Sequence, residues 1–203
     1  MSKDWTGNKK STYSTIGASN HIDTDRSEYD YYATPPEAVR MLLELETFGH
    51  SIWEPACGEG HISEVLKECG YNVFSTDIIK RGYESDIIDF LSFDSEGSPT
   101  KYDIITNPPY SKAQQFIEKA LRVVRPKGKV AMFLKIQFLE GKSRKEFFKR
   151  YPPIRIWVSS DRLFCAKNGE FPTNPRDRRG SICYAWFIWQ HGYNGDTIIK
   201  WFN

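Results

Sequence analysis

The chain has 203 residues, 15% of them aromatic, and a formal net charge of only +2. That length suits a single α/β domain with a full core. No apolar run nears the ~20 residues of a membrane span and no signal-peptide pattern follows Met1, so a cytoplasmic protein with no membrane partner is expected.

Residues 1–28 are polar and lack apolar periodicity, which predicts a mobile arm ahead of one domain over residues 29–203. The character changes at Tyr31-Tyr32-Ala33-Thr34-Pro35-Pro36. Thr34 is a suitable N-cap and Pro35 a suitable first helical residue. The helix expected over residues 36–46 puts Val39, Leu42 and Leu43 on one side, with Phe48 just beyond. A strand ending at Glu54 follows, then the small-residue loop Pro55-Ala56-Cys57-Gly58-Glu59-Gly60, then a helix over residues 62–69. Gly58 and Gly60 let backbone approach a ligand closely. The loop departs from the dinucleotide fingerprint GxGxxG, because Ser63 holds the third glycine position and the acid Glu54 precedes the glycines. Beside Glu54, a cationic amino-acid ligand is a better guest than a pyrophosphate. A second strand, residues 72–77, ends in Asp77 with Ile78 beside it, where an acid suits ribose hydroxyls. Asp89-Phe90 pairs a carboxylate with a ring able to bracket an adenine.

The rest of the chain is arranged around Tyr102-Asp103-Ile104-Ile105-Thr106-Asn107-Pro108-Pro109-Tyr110. It reads as a short buried strand stopped by two prolines, which have no N–H for a ladder and hold Asn107 extended. The result is a stiff lip at the carboxyl end of a strand, where open α/β sheets bind ligands. Such a lip suits methyl transfer to a planar amino group. The lone pair of that nitrogen is shared with its ring or carbonyl, and acceptors fixed on both its hydrogens make it more nucleophilic. The Asn107 side-chain carbonyl and the Pro108 backbone carbonyl are the expected acceptors, and Tyr110 the face on which a base stacks.

Beyond the lip, residues 111–124 read as an amphipathic helix, 129–134 as a strand and 141–150 as a basic helix. Residues 153–159 and 181–190 read as the last two strands, the latter apolar throughout and therefore central. Between them, residues 160–180 form a loop long enough to suggest function. From Gly141 to Gly180 eleven basic residues face four acidic ones, a net +7 that leaves the remainder at −5. That asymmetry suits a polyanion surface, with Lys142, Arg144, Arg162 and Phe164 as candidate contacts to phosphates and bases. The four cysteines (Cys57, Cys69, Cys165, Cys183) lack CxxC spacing and the four histidines are scattered, which predicts free thiols and no metal.

Taken in order, Tyr32-Ala33-Thr34-Pro35-Pro36, Trp53 to Gly60, Asp77, Asp89-Phe90 and Asn107-Pro108-Pro109-Tyr110 resemble the S-adenosylmethionine-dependent DNA adenine-N6 methyltransferases of the gamma arrangement. The likeness is good over residues 29–135. It implies a Rossmann-like class I methyltransferase fold, α/β, with a seven-stranded, mostly parallel sheet whose last strand is antiparallel. It implies S-adenosylmethionine as cofactor, held by Tyr32, Thr34 and Pro35, by Glu54, Pro55, Ala56, Cys57, Gly58 and Gly60, by Asp77 and Ile78, by Asp89 and Phe90, and by Asn107. It implies Asn107, Pro108 and Tyr110 as catalytic residues, DNA as partner, and Phe164 as a second base-facing aromatic. Restriction-system relatives usually carry a large recognition domain, none is expected in these 203 residues, and compact forms of this kind resemble phage or prophage enzymes. Recognition then falls to the 160–180 loop, the basic helix, the arm, a homodimer or another partner. The same chemistry on RNA adenine or guanine or on a protein glutamine amide, a non-catalytic nucleic-acid-binding module and, despite the broken fingerprint, a nicotinamide-dependent oxidoreductase remain as alternatives.

Overall fold

The computed structural model describes residues 31–94, 99–173 and 182–203. The expected arm, and residues 174–180 of the long loop with Arg176, Arg178 and Arg179, lie outside the described residues. In chain order the strands are β1 (Tyr32–Ala33), β2 (Ser51–Glu54), β3 (Asn72–Asp77), β4 (Asp86–Ile87), β5 (Asp103–Thr106), β6 (Lys129–Lys135), β7 (Arg155–Ser159), β8 (Ala166–Lys167), β9 (Tyr184–Gln190) and β10 (Ile198–Phe202). The helices are α1 (Pro36–Leu45), α2 (His61–Glu68), α3 (Ala113–Val123) and α4 (Lys142–Arg150), with 3-10 turns at Tyr110–Lys112 and Ile136–Leu139.

Eight strands form one sheet in the order β10-β7-β9-β6-β5-β2-β3-β4. Its neighbours are parallel except where β9 runs antiparallel to both β6 and β7. Alternation along the strands makes two cores. Ile52, Ile105, Phe133 and Trp186 pack with α1 and α2 on one face. Trp53, Ile104, Met132 and Phe187 pack with α3 and Phe147 of α4 on the other. Because both faces are covered, β5 and β9 carry almost no exposed residue, which is why β9 is apolar without a polar phase, while β5 holds two buried polar residues, Asp103 and Thr106, at its ends.

Two expectations are corrected. β9 is central but not last: β10 follows it and lies parallel to β7 at the sheet edge. Ile198, Ile199 and Trp201 of β10 are exposed, so no burial pattern announced that strand. Thr34 does not cap α1. Pro35 occupies the N-cap position with extended backbone and Pro36 begins the helix, leaving the Thr34 hydroxyl for another partner.

The amino ends of the parallel strands are clamped by buried carboxylates. Glu46, 4% exposed, accepts hydrogen bonds from Arg155, Lys129 Nζ (2.7 Å) and Trp157 Nε1 (3.0 Å). Burial pulls its carboxyl upward, but the bonds from Arg155, Lys129 and Trp157 outweigh burial and lower its pKa to about 2. A depressed carboxylate stabilises the fold above its ordinary value near 4.5, and that stabilisation is lost as pH falls from there through about 2. Glu46→Gln therefore costs about 3 kcal/mol at pH 7 and flattens the stability profile between pH 4.5 and 3, as read from urea midpoints across that range. An unchanged acid limb in the variant would assign the loss to other groups.

Candidate active site

The carboxyl ends of β2, β3 and β5 meet at one edge, and there the Asn107 lip closes against β1. Asn107 Nδ2 donates to the Tyr32 carbonyl (2.7 Å) and to Thr34 Oγ1 (3.0 Å). A backbone carbonyl can only accept, so the atom facing Tyr32 must be the amide nitrogen. With its hydrogens engaged there, the amide offers its carbonyl oxygen, Oδ1, as the remaining polar atom. Pro108 is buried behind it, and Pro109 starts the 3-10 turn that leads into α3. β1 is itself pinned by an antiparallel ladder to β8, so part of the 160–180 loop supports the strand that orients Asn107.

Two clefts share Asn107, Tyr31, Tyr32 and Ala56. The larger, about 600 Å³, is lined by Pro55, Asp77, Ile78, Asp89, Phe90 and Pro109 among others. The smaller, about 230 Å³, is lined by Thr34, Glu54, Cys57 and His61 among others. Of the small-residue loop, Pro55 and Ala56 line the larger and Ala56 and Cys57 the smaller, while Gly58 and Gly60 line neither. Gly58 has φ +56° and donates its N–H to Asp77 Oδ2 (2.8 Å), while Asp77 Oδ1 accepts from Ile79 N (3.1 Å). A Cβ on Gly58 would lie 2.3 Å from the Tyr31 ring, so Tyr31 covers the loop at a distance only glycine permits.

Glu54 is 1% exposed. Its carboxylate accepts from Ser63 Oγ, which also contacts Ser75 Oγ at 2.6 Å. Burial raises its pKa well above the usual carboxylate range, outweighing the bond from Ser63. Among the described residues no salt bridge reaches it. Burial likewise pushes the neighbouring Cys57 thiol up to about 12, which keeps it an inert wall rather than a nucleophile. Asp89 is exposed and stays ionised. Its carboxylate accepts from Ser92 Oγ (2.6 Å) and Leu91 N (3.0 Å), and the Ser92 bond lowers its pKa. Phe90 is only 2% exposed and packs edge-on against Trp53, so it contributes a rigid wall more than an open face.

Other sequence candidates are placed differently. The Tyr110 ring packs at 5.5 Å from Tyr32 and lies under the Lys135 ammonium at 4.5 Å, so the face expected to stack a base is covered by a cation. Lys142 and Arg162 are exposed and line none of these clefts, and Phe164 is half-buried ahead of β8. Gly60 caps α2 in a left-handed conformation under the Tyr83 ring. Sequence reasoning missed Tyr31, Arg81 and Lys112 in the larger cleft and His61 in the smaller. Tyr31 was readable only as one tyrosine of a cluster. Its role depends on the glycine loop, 27 positions on, folding beneath it. Among the described residues no His, Cys, Asp and Glu group could hold a metal, and the described cysteines are free.

No protein-family model matches the sequence, and no curated protein matches it. Solved structures do. A protein provisionally described as the modification subunit of a type I restriction enzyme from Vibrio vulnificus YJ016 aligns with TM-score 0.55 at 16% identity, over 84% of this chain. The chain spans about half of that protein's length, 47%. A class I S-adenosylmethionine-dependent methyltransferase, also a provisional description, from Listeria monocytogenes aligns with TM-score 0.57 at 12% identity, over 94% of this chain and 70% of its own. A third, provisionally described as an RNA methyltransferase from Pyrococcus horikoshii, aligns with TM-score 0.56 at 15% identity, over 91% of this chain and 98% of its own. The fold is the Rossmann-like class I methyltransferase fold. The eight-stranded sheet departs from the expected seven by carrying β10 outside β7. No helix of the described residues is long and apolar enough to cross a membrane.

Proposed function

We propose that this chain is an S-adenosylmethionine-dependent methyltransferase acting on adenine N6 in DNA. The observation that carries the reading is the Asn107 amide, locked by Tyr32 O and Thr34 Oγ1 so that Oδ1 remains as an acceptor beside two clefts. A planar amine whose N–H is held by such an acceptor is drawn toward a tetrahedral nitrogen before reaction, and no reorganisation is needed when the new bond forms. The Pro108 carbonyl is the second acceptor in this reading, and the proton leaves to water.

The chain's residues fit the cofactor. Glu54, a buried carboxyl without a cation, suits an α-ammonium in the smaller cleft. Asp77 and Asp89 supply carboxylates in the larger cleft for hydroxyls and an adenine edge, beside the apolar walls of Ile78 and Phe90. When bound, S-adenosylmethionine supplies an electrophilic sulfonium methyl. A duplex substrate must give up its base from the stack, at a cost of a few kcal/mol.

This assignment has a pH signature. An ammonium favours the ionised form of Glu54, whose pKa in the free protein is raised, so binding expels a proton and affinity rises with pH until that raised pKa is passed. Titration calorimetry with S-adenosylhomocysteine from pH 5 to 8, in buffers of different ionisation enthalpy, should detect the released proton. Glu54→Gln should weaken binding about tenfold at pH 8 and lose the proton release, consistent with a charge-assisted bond of about 1.5–3 kcal/mol. Equal affinity and equal proton release in the variant would remove Glu54 from the cofactor site.

The substrate test offers labelled S-adenosylmethionine with unmethylated duplex DNA, single-stranded DNA, RNA and a protein extract side by side. Label recovered as N6-methyladenine from DNA supports the reading. Label confined to RNA or protein keeps the Asn107 chemistry and overturns the acceptor.

A further inference from the structure

The Asn-Pro-Pro-Tyr lip has a second side. Asn107 lines the two clefts already described, whereas Tyr110 lines a separate groove of about 400 Å³ with Lys135, Gln137, Phe138 and Arg144. The groove is built differently from the clefts. Its lining holds two cations and no carboxylate, while the clefts hold Glu54, Asp77 and Asp89. The Arg144 guanidinium lies 3.9 Å over the Phe138 ring and donates Nη1 to the Phe138 carbonyl (2.7 Å). One of its five N–H groups is spent there, which fixes the plane and leaves the others for a ligand. The Lys135 ammonium stands over Tyr110. Gln137 lines the groove, and its Oε1 is buried with no hydrogen-bond partner among the described residues. An amide oxygen left so costs about 1–3 kcal/mol, and a ligand N–H would recover it.

We propose that this groove binds the nucleotide next to the methylated one, with the Gln137 amide pairing with its base edge and Arg144 engaging its phosphate. The proposal rests on the nucleic-acid reading above. The occupant is a neighbour rather than the acceptor base because Asn107, which must touch the acceptor amine, does not line the groove. An amide presents an acceptor and a donor together, the pairing that discriminates one base from another, whereas guanidinium and ammonium hold phosphates without regard to sequence. Gln137 is thus a specificity residue, and Arg144 an affinity residue.

The test uses the whole chain with S-adenosylhomocysteine and short single-stranded and duplex oligodeoxynucleotides, each with one adenine and all four bases in turn on either side. Binding is read by fluorescence anisotropy, and methyl transfer to the same oligonucleotides is read with labelled cofactor. Wild type should prefer one flanking base at least tenfold. Gln137→Met should reduce that preference to twofold or less with thermal stability unchanged or raised, because no internal bond is lost; Gln137→Glu, keeping the shape, should weaken every oligonucleotide. Arg144→Ala should weaken all four bases alike, about tenfold, and lower the salt slope on single strands by about 0.7. A preference that survives in Gln137→Met overturns the groove assignment while adenine methylation stands. Methyl transfer to none of the oligonucleotides overturns the nucleic-acid reading and this inference with it.

Discussion

Asn107→Ala should lower single-turnover methyl transfer about 10³-fold, while S-adenosylhomocysteine affinity stays within about tenfold of wild type. The size follows from removing a preorganised polar group aimed at the reacting centre, which typically costs 10²–10³ in rate. The sparing of cofactor affinity follows from geometry. Asn107 touches Tyr32 and Thr34 on one side and the clefts on the other, but the carboxyls of Glu54, Asp77 and Asp89 are positioned by other elements. Truncation leaves the Tyr32 carbonyl and the Thr34 hydroxyl at a cleft wall where water can replace the lost N–H. Asn107→Asp makes a sharper variant. Its carboxylate cannot donate to the Tyr32 carbonyl, so the side chain must turn from its seat even though its volume is unchanged. Both variants should fold with wild-type stability. Turnover within tenfold of wild type in either would remove Asn107 from the chemistry and leave the lip a structural turn.

How far the sequence reached depends on whether a residue's role is set locally. Asn72–Asp77 was readable to the residue, because a strand entering the sheet after a glycine turn carries its own boundaries. The apolar run before Gln190 was readable as central because only a strand covered on both faces tolerates it. Thr34 was misread for the opposite reason. The capping rule weighs its near neighbours, but its hydroxyl bonds to an amide 73 positions away. β10 escaped because edge pairing with β7 demands hydrogen bonds and little burial, so its side chains carry no periodic signal. The acids expected at the site were chosen by type and place in the order, and their environments were not readable that way. Glu54 and Asp89 both sit near strand ends, and burial raises one carboxyl while an exposed serine bond lowers the other. Tyr110 was identified as a stacking face, but the Lys135 ammonium over it belongs to a different strand.

Asp103→Ala should destabilise the protein by about 3–5 kcal/mol while leaving methyl transfer per folded molecule near wild type. Asp103 is fully buried at the first position of β5. Its Oδ2 accepts from Gly49 N (2.6 Å) ahead of β2, and its Oδ1 accepts from Lys129 N (2.9 Å) at the start of β6. Arg125 closes the arrangement with a salt bridge at 2.7 Å. One carboxylate therefore sets the register of three adjacent strands. The turn above it is correspondingly tight, since a Cβ on Gly128 would lie 2.7 Å from both Asp103 Oδ1 and the Arg125 carbonyl. Alanine would leave the half-buried Gly49 and Lys129 N–H groups without their acceptor where three strands meet, and the Arg125 guanidinium, 36% exposed, without its counter-ion. Asparagine keeps the volume and one acceptor, so its cost should be about half as large. Urea unfolding measures both, and active-site-normalised transfer measures the rest. Asp103 and Asn107 mark opposite ends of one short strand, so the two variants should fail in opposite ways: Asp103→Ala in stability with its chemistry intact, Asn107→Ala in chemistry with its stability intact. A stable Asp103→Ala protein that has lost turnover would mean that the amino end of β5 acts on the reaction and that this division of labour along the strand is wrong.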